Sequence, residues 1–337
     1  MNIVTIDAGT TNTRSCLWID GQLQSQAQAE VGVRDTAITG SNSALKQAVR
    51  DTIGTALSQA GLSEGSLDLV LASGMITSNV GLTEIPHLPA PAGLQELAQG
   101  MQSVAIPDVL SQPIWFIPGV RNNVDQVGVH NAEAMDMMRG EETEAMALLA
   151  RLKLNGAAML ILPGSHTKLV SIDGDRRIVG CATSIAGELL QAITRNTLLT
   201  KSLDGAFANE LHPEMLLAGA AAAQRTGLAR ACFSVRILDM FTEAQQNEKA
   251  SFLLGAVLSG DLLTLKNSSA IRMRPDTPIV ISGKSILKQA LALLISENGF
   301  FYGKQVVVND QDQDNLAGFG AMTIAAARGL IPQALAH

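Results

Sequence analysis

Hydrophobic and polar positions alternate along this chain in a plan that is used twice. A β-branched run, Ile3-Val4-Thr5-Ile6, ends in Asp7 and gives way to Gly9, four small polar residues and Arg14. This order predicts two antiparallel strands joined by a polar turn, then an Asp20-Gly21 hairpin turn and a third strand reaching residue 30. A helix is expected near 43–60 and a strand at 68–72. The pattern returns at 157–182: apolar Ala157 to Leu162, the turn Pro163-Gly164-Ser165-His166-Thr167-Lys168, a strand over Leu169–Ile172, an Asp173-Gly174 turn and a third strand. Helices are expected at about 183–200, 212–229 and 246–266, then strand 278–282, helix 284–297, strand 304–308 and helix 314–329. Repeated hairpin-strand-helix units predict an internally duplicated α/β protein. Chance likeness of two hairpins is the competing reading. The boundary falls just before residue 140, giving an N-terminal lobe at 1–138 and a C-terminal lobe at 139–337, with Pro-rich 82–113 as a loop-rich wall.

Composition narrows the class. The chain has 337 residues, 47% of them hydrophobic and 16% charged, enough for two aliphatic cores. A net charge of −7 with no basic block argues against nucleic acid as the main partner. Cys16, Cys181 and Cys232 are isolated and read as reduced core residues. The strand-like start and the lack of a long apolar span predict neither signal peptide nor membrane segment, hence a cytoplasmic protein.

Both turns suit phosphate, because oriented backbone amides supply partial positive charge where side chains would crowd an anion. Asp7, at a strand end, is placed to hold Mg²⁺ through its waters. A plain hairpin with a polar tip is the alternative for the first turn taken alone. Met138-Arg139-Gly140-Glu141-Glu142-Thr143-Glu144 opens a helix, where first-turn carboxylates favour the helix dipole. One of them could instead accept a proton from an attacking hydroxyl; Glu141, directly after Gly140, is the first choice and Glu142 the second. Arg139 suits a carboxylate or a surface ion pair. Ser73-Gly74-Met75-Ile76-Thr77-Ser78-Asn79 fits either polyol recognition or a helix cap, and Arg121 with its Asn neighbours is a further recognition candidate.

Other patterns exclude chemistry. Ser282-Gly283-Lys284-Ser285 lacks the earlier glycine of a P-loop, since Pro278 stands there; it fits an adenosine-side turn where Gly283 allows close approach. Gly318-Phe319-Gly320 reads as helix packing. His166 reads as a turn residue, and His87, His130, His212 and His337 share no metal spacing. No Gly-x-Ser-x-Gly elbow is present.

Asp7-x-Gly-Thr-Thr-Asn-x-Arg14, Ser73-Gly-Met-x-x-Ser-Asn79, Met138-Arg-Gly-Glu-Glu-Thr143, Pro163-Gly-Ser-His-Thr-Lys168 and Gly187-Glu188-Leu189 occur in the order found in 2-dehydro-3-deoxygalactonokinases, and the chain resembles that family over nearly its whole length. Ala8 and Leu169 depart from it, standing where tryptophan is common. The resemblance implies a duplicated actin-like (ribonuclease H-like) two-lobe ATPase fold with an interlobe cleft. It also implies ATP-dependent, Mg²⁺-assisted phosphorylation of the 6-hydroxyl of 2-dehydro-3-deoxygalactonate in galactonate breakdown. Gly9, Thr10, Thr11, Asn12, Arg14, Gly164, Ser165, Thr167, Lys168, Gly187, Gly283 and Lys284 are then the ATP and phosphate residues. Met75, Ser78, Asn79, Arg121 and Arg139 are substrate residues, Asp7 the metal residue, and Glu141, Glu142 and Asp7 catalytic. The expected partners are a sugar acid and ATP, with a homodimer left open. A kinase for another sugar acid or small polyol, or a non-catalytic nucleotide-binding regulator, is the alternative.

Overall fold

Short strand-forming runs, with positive-φ residues at the second turn of each copy (Asp20 and Gly21, Arg176), build two meanders in the computed structural model. It describes residues 1–336; His337 lies outside them. Strands β1 (Asn2–Ala8), β2 (Thr13–Ile19) and β3 (Gln22–Ala29) pair antiparallel, and Asp20 and Gly21 turn the chain at φ 49° and 81°. Helices α1 (Val33–Thr39) and α2 (Ser43–Gln59) follow, and β4 (Leu69–Gly74) enters parallel to β1. Next come β5 (Leu88–Pro89), α3 (Leu94–Gly100), β6 (Gln102–Val104), β7 (Ile114–Phe116), β8 (Val120–Arg121) and β9 (Met137–Met138). The first sheet runs β3-β2-β1-β4-β7-β6.

The second half begins with α4 (Glu141–Arg151) and repeats the meander as β10 (Ala158–Leu162), β11 (Thr167–Ile172) and β12 (Ile178–Ser184). Helices α5 (Ala186–Asn196), α6 (Pro213–Thr226), α7 (Leu228–Phe241) and α8 (Gln246–Asn267) precede β13 (Ile279–Ile281), α9 (Ser285–Ser296), β14 (Gln305–Val307) and α10 (Leu316–Arg328). This sheet runs β12-β11-β10-β13-β14, with β13 parallel to β10 as β4 is to β1. The duplication expected from sequence is therefore present, and the two meanders give the two-lobe actin-like architecture.

Side-chain alternation assigns the layers. Val4, Ile6 and Leu17 point outward onto α2, where Leu45, Val49 and Ile53 meet them. Met159 and Ile161 point outward onto α8 and α9. Ile3, Trp18, Leu160 and Val170 point inward and share one core with Met146 and Leu149 of α4 and Phe319 and Met322 of α10. These two helices lie between the sheets, and they touch closely: a Cβ on Gly320 would collide with the Thr143 carbonyl oxygen. Gly318-Phe319-Gly320 is thus a packing feature, as its sequence suggested.

The structure departs from the predicted elements in several places, among them helices α1 and α3, where none was expected. The expected helix at 212–229 stops at Thr226, because Gly227 takes φ 83°, and a separate helix α7 follows. The expected helix at 183–200 ends at Asn196, and the Thr197 side chain caps a short 3₁₀ turn by accepting from the Leu199 N–H. A small third sheet, β5-β8-β9, forms within and beyond the Pro-rich stretch. Asn122 ties it to the second lobe: its amide donates to Cys181 O (2.9 Å) and Ala270 O (3.2 Å), and its Oδ1 accepts from Cys181 N–H (2.8 Å). Among the described residues no helix is long and apolar enough to cross a membrane.

Candidate active site

The first turn is rigid behind and open in front. Gly9 N–H closes it on Asn12 O at 2.9 Å. From behind, Val33 and Arg34 of α1 donate their N–H groups to Gly9 O (3.2 Å) and Thr10 O (2.9 Å), and the buried Thr13 hydroxyl donates to Val31 O at 2.8 Å. Thr10, Thr11 and Asn12 stay exposed at the tip. Asp7 and Arg14 face each other as cross-strand partners at its base.

Carboxylates gather beside that base. Gly140, at φ 109°, opens α4 where only glycine is unstrained, and its Cβ position would lie 3.3 Å from Gly74 Cα. Gly74 in turn packs against Asp7, for a Cβ there would come 2.9 Å from Asp7 Oδ1. Through this close stacking the Glu141 charge reaches Asp7. Burial raises the Asp7 carboxyl to about 6, with Arg14 opposing and Glu141 adding to the rise. Glu144, one turn along α4, is pushed to about 8 by burial, then by Glu141 and Asp7. The sequence pattern placed Glu144 among dipole-favouring residues and gave it no role. Glu141 itself is half-buried, and its Oε2 accepts only the Arg139 N–H at 3.1 Å among the described residues.

Glu142 does not share this position. It is fully buried, and both carboxyl oxygens accept the Gly140 N–H at 2.9 Å. Its carboxyl is turned into the protein as a helix cap, which removes it as the second choice of base.

The second turn is set against α5. A Cβ at Gly187 would collide with Gly164 O, and Glu188 N–H donates to Ser165 O at 3.0 Å. Lys168, predicted at the phosphates, is 5% exposed and donates to Met137 O (2.8 Å) and to the Thr183 hydroxyl. It joins β9 to the second sheet instead of facing the cleft. Thr167 is buried as well; its hydroxyl lies beside Asp261 of α8, whose other oxygen accepts from Ser184, and neither Thr167 Oγ1 nor Asp261 Oδ2 completes a bond.

Two cavities open between these elements. One, of about 680 Å³, is lined by Asp7, Arg14 and Glu144 on one side and by Gly283, Lys284 and Asn315 on the other. The second, of about 250 Å³, lies between the Gly164-Ser165 turn and an apolar wall of Leu190, Phe207, Leu253 and Leu254. Lys284 lines both and marks where they meet. Charged groups thus face one cavity and aliphatic ones the other, the division a nucleotide's phosphates and base require.

The remaining predicted residues lie near the mouth of the first lobe. Met75 is half-buried, Asn79 exposed, and Ser78 buried with its hydroxyl donating to Met75 O at 2.7 Å within a 3₁₀ turn over Met75–Thr77. Arg139 donates to Thr77 Oγ1 (2.7 Å), Ile85 O (2.9 Å) and His87 Nδ1 (3.3 Å). Because a guanidinium only donates, His87 must present Nδ1 as acceptor and carry its proton on Nε2, which is buried without a partner. Burial, then Arg139, Arg121 and Lys168, lowers the His87 pKa to about 4, so the ring is neutral. No motif marked His87; only its spatial proximity to these cations does so.

A family model described as 2-keto-3-deoxy-galactonokinase matches residues 7–322. The Escherichia coli (strain K12) protein named 2-dehydro-3-deoxygalactonokinase is 27% identical over 265 residues, 78% of this chain and 80% of that one. A Rhizobium meliloti (strain 1021) protein named a probable 2-dehydro-3-deoxygalactonokinase is 29% identical over 201 residues, 59% of this chain and 58% of that relative's length. A Sinorhizobium meliloti crystal structure, provisionally named for the same kinase, superposes with a TM-score of 0.70 over 96% of both chains at 21% identity, a likeness of fold.

Proposed function

The chain belongs to the 2-keto-3-deoxy-galactonokinase family, and from that premise we propose that it phosphorylates 2-dehydro-3-deoxy-D-galactonate at the 6-hydroxyl with ATP, in galactonate catabolism. The observation that carries the chemistry is the stacking of Gly140 on Gly74 and of Gly74 on Asp7, which brings Glu141 to the base of the first turn. Glu141 takes the proton of the 6-hydroxyl as its oxygen attacks the γ-phosphorus, and the bond to the bridging oxygen of ADP breaks. Gly9, Thr10, Thr11 and Asn12 offer the first phosphate cradle, and Gly164 and Ser165, braced by Gly187, the second. Arg14 offsets developing charge. The apolar cavity beside Gly283 and Lys284 takes the nucleoside.

The residues beside the first turn fit Mg²⁺. Burial raises the pKa of both Asp7 and Glu144, with Glu141 adding to each rise, and a dication would relieve both. They form no cage of three ligands among the described residues, which suits an ion that keeps its waters and binds phosphate. That ion would supply charge neutralisation on the phosphates. We assign the acid end of the substrate to Arg121 and to the Arg139–His87 pair, cations near enough to one another to lower the His87 pKa. Met75 and Asn79 flank the polyol, and the lobes, taken as 1–138 and 139–337, close over it.

The test is acceptor-dependent ADP release from ATP and Mg²⁺. Turnover is expected with 2-dehydro-3-deoxygalactonate and much less with its gluconate epimer or plain sugars. Turnover with a different acceptor would keep the kinase and change its substrate. Protein that binds ATP yet shows no acceptor-dependent turnover would overturn the proposal in favour of a regulator.

A further inference from the structure

Glu142 and Asp261 are the least exposed carboxylic acids among the described residues. Glu142 caps Gly140, whereas Asp261 has no role in the site as described. It lies on α8, flanked by the buried Leu258 and Leu262 in the aliphatic core of the second lobe, and only 1% of it is exposed. One carboxyl oxygen accepts the Ser184 hydroxyl, and the other is buried beside the Thr167 hydroxyl without a completed bond. Burial raises this carboxyl to about 6, with Ser184 and Thr167 opposing the rise. A leucine in the same core would avoid that desolvation, so stability is not what the carboxyl supplies.

Its two neighbours show what it does supply. Thr167 and Ser184 are cross-strand partners at one end of β11 and β12. Thr167 is the first residue after the turn at 163–166, and Ser184 is the last before α5 enters through Ile185. Those are the two pieces pressed together where Gly187 meets Gly164 O and Glu188 N–H donates to Ser165 O. The carboxyl therefore spans the root of the second turn and sets its spacing from the start of α5. The same helix reaches the apolar cavity, which Leu253 and Leu254 line. Leu254 stands seven residues before Asp261, so the two share a helix face, about 10 Å apart along the axis. One rigid helix thus holds the apolar wall and the second turn at a fixed separation.

We propose that Asp261 is a positioning residue for ATP, keeping the Gly164-Ser165 amides at the distance from the apolar wall that the nucleotide requires. It lines neither cavity and acts through Thr167 and Ser184. This role rests on the proposed reading that the second turn holds nucleotide.

Calorimetry of ATP with Mg²⁺, steady-state kinetics and thermal melting on the full chain test it. Asp261→Leu should melt as high as the parent or higher, yet bind ATP about tenfold more weakly when measured well below the melting temperature. KM for ATP should rise with it while kcat stays within about twofold. A carboxyl that only stabilised the fold would change melting and leave the affinity of the folded protein unchanged. Asp261→Asn keeps an acceptor for Ser184 and gains a donor toward Thr167, so its ATP affinity should stay within about threefold of the parent. Should Asp261→Leu fail to fold, Thr167→Val with Ser184→Ala removes both partners and should weaken ATP by the same amount. Parent-like affinity in the folded Asp261→Leu or in that double variant would overturn the proposal. So would an Asp261→Asn protein no better than Asp261→Leu. Gly187→Ala separates this role from the reading beneath it. If Gly187→Ala raises KM for ATP and Asp261→Leu does not, the role of Asp261 alone fails. If Gly187→Ala leaves KM unchanged, the second turn does not hold nucleotide and both fall.

Discussion

The two hairpins share a plan, the second with a turn one residue shorter, and differ in what they carry. Asp7 faces Arg14 across the first, and Leu162 faces Lys168 across the second. Where the first copy sets an acid against a base beside open space, the second has an aliphatic residue and a lysine that is engaged with Met137 and Thr183. The threonines before those cations are both buried, but only the Thr13 hydroxyl braces its turn, by donating to Val31 O. Duplication has thus kept the scaffold in both lobes and left the reactive charges in one. On the proposed reading, the first turn is where chemistry would occur and the second would hold the nucleotide.

The sharpest way to break this contrast is to neutralise the charge beside the first turn. Glu141→Gln should cut turnover at least about a hundredfold while ATP affinity, read by calorimetry, stays within about twofold. Near-normal turnover would move the proton acceptor elsewhere. Next, the two cations should fail in different ways. Arg14→Met should lower turnover about tenfold or more with little change in unfolding. Lys168→Met should cost about 1 kcal/mol in urea denaturation, since two part-buried hydrogen bonds are lost, and leave turnover per folded molecule close to normal. The reverse outcome would place Lys168, not Arg14, at the phosphates. Gly187→Ala pushes α5 from the Gly164 carbonyl and should raise the KM for ATP by about fivefold, with kcat less affected, if the second turn only holds nucleotide.

The smallest effect concerns Glu142. Burial raises its carboxyl from 4.5 to about 8, so between those values the folded protein keeps a proton that the unfolded chain has released. Stability from this group therefore falls as pH rises from about 5 to about 8. Glu142→Gln should melt a few degrees higher than the parent at about pH 8 and nearly level with it at about pH 5. Equal melting curves at both values would show that the cap is ionised in the folded state.

Sequence periodicity carried the fold further than the site. Strands whose residues pair with near neighbours, such as β1–β3 and β10–β12, were legible because alternation and Asp-Gly turns are local signals. The β5-β8-β9 sheet was not, since strands of two residues exist only through pairing between distant segments. The break between α6 and α7 rests on one glycine in an otherwise helical run. Among site residues, the Asp7 turn and Gly140-Glu141 were visible as unusual residue orders. Which way a side chain turns was not: the burial of Glu142, the engagement of Lys168 and the tautomer of His87 all follow from partners remote in sequence.

Helix α10 bears on how the molecule is made. It supplies the inner packing for β1, yet it lies far along the chain, at 316–328. Trp18, bonded through its indole N–H to Thr5 at 2.9 Å, waits for Gly318 to cover it. During synthesis the inner face of the first sheet therefore stays uncovered until α10 has been made, a window in which nascent-chain chaperones have most to protect. A chain cut off before α10 would expose the inner faces of both halves together, because one helix covers both.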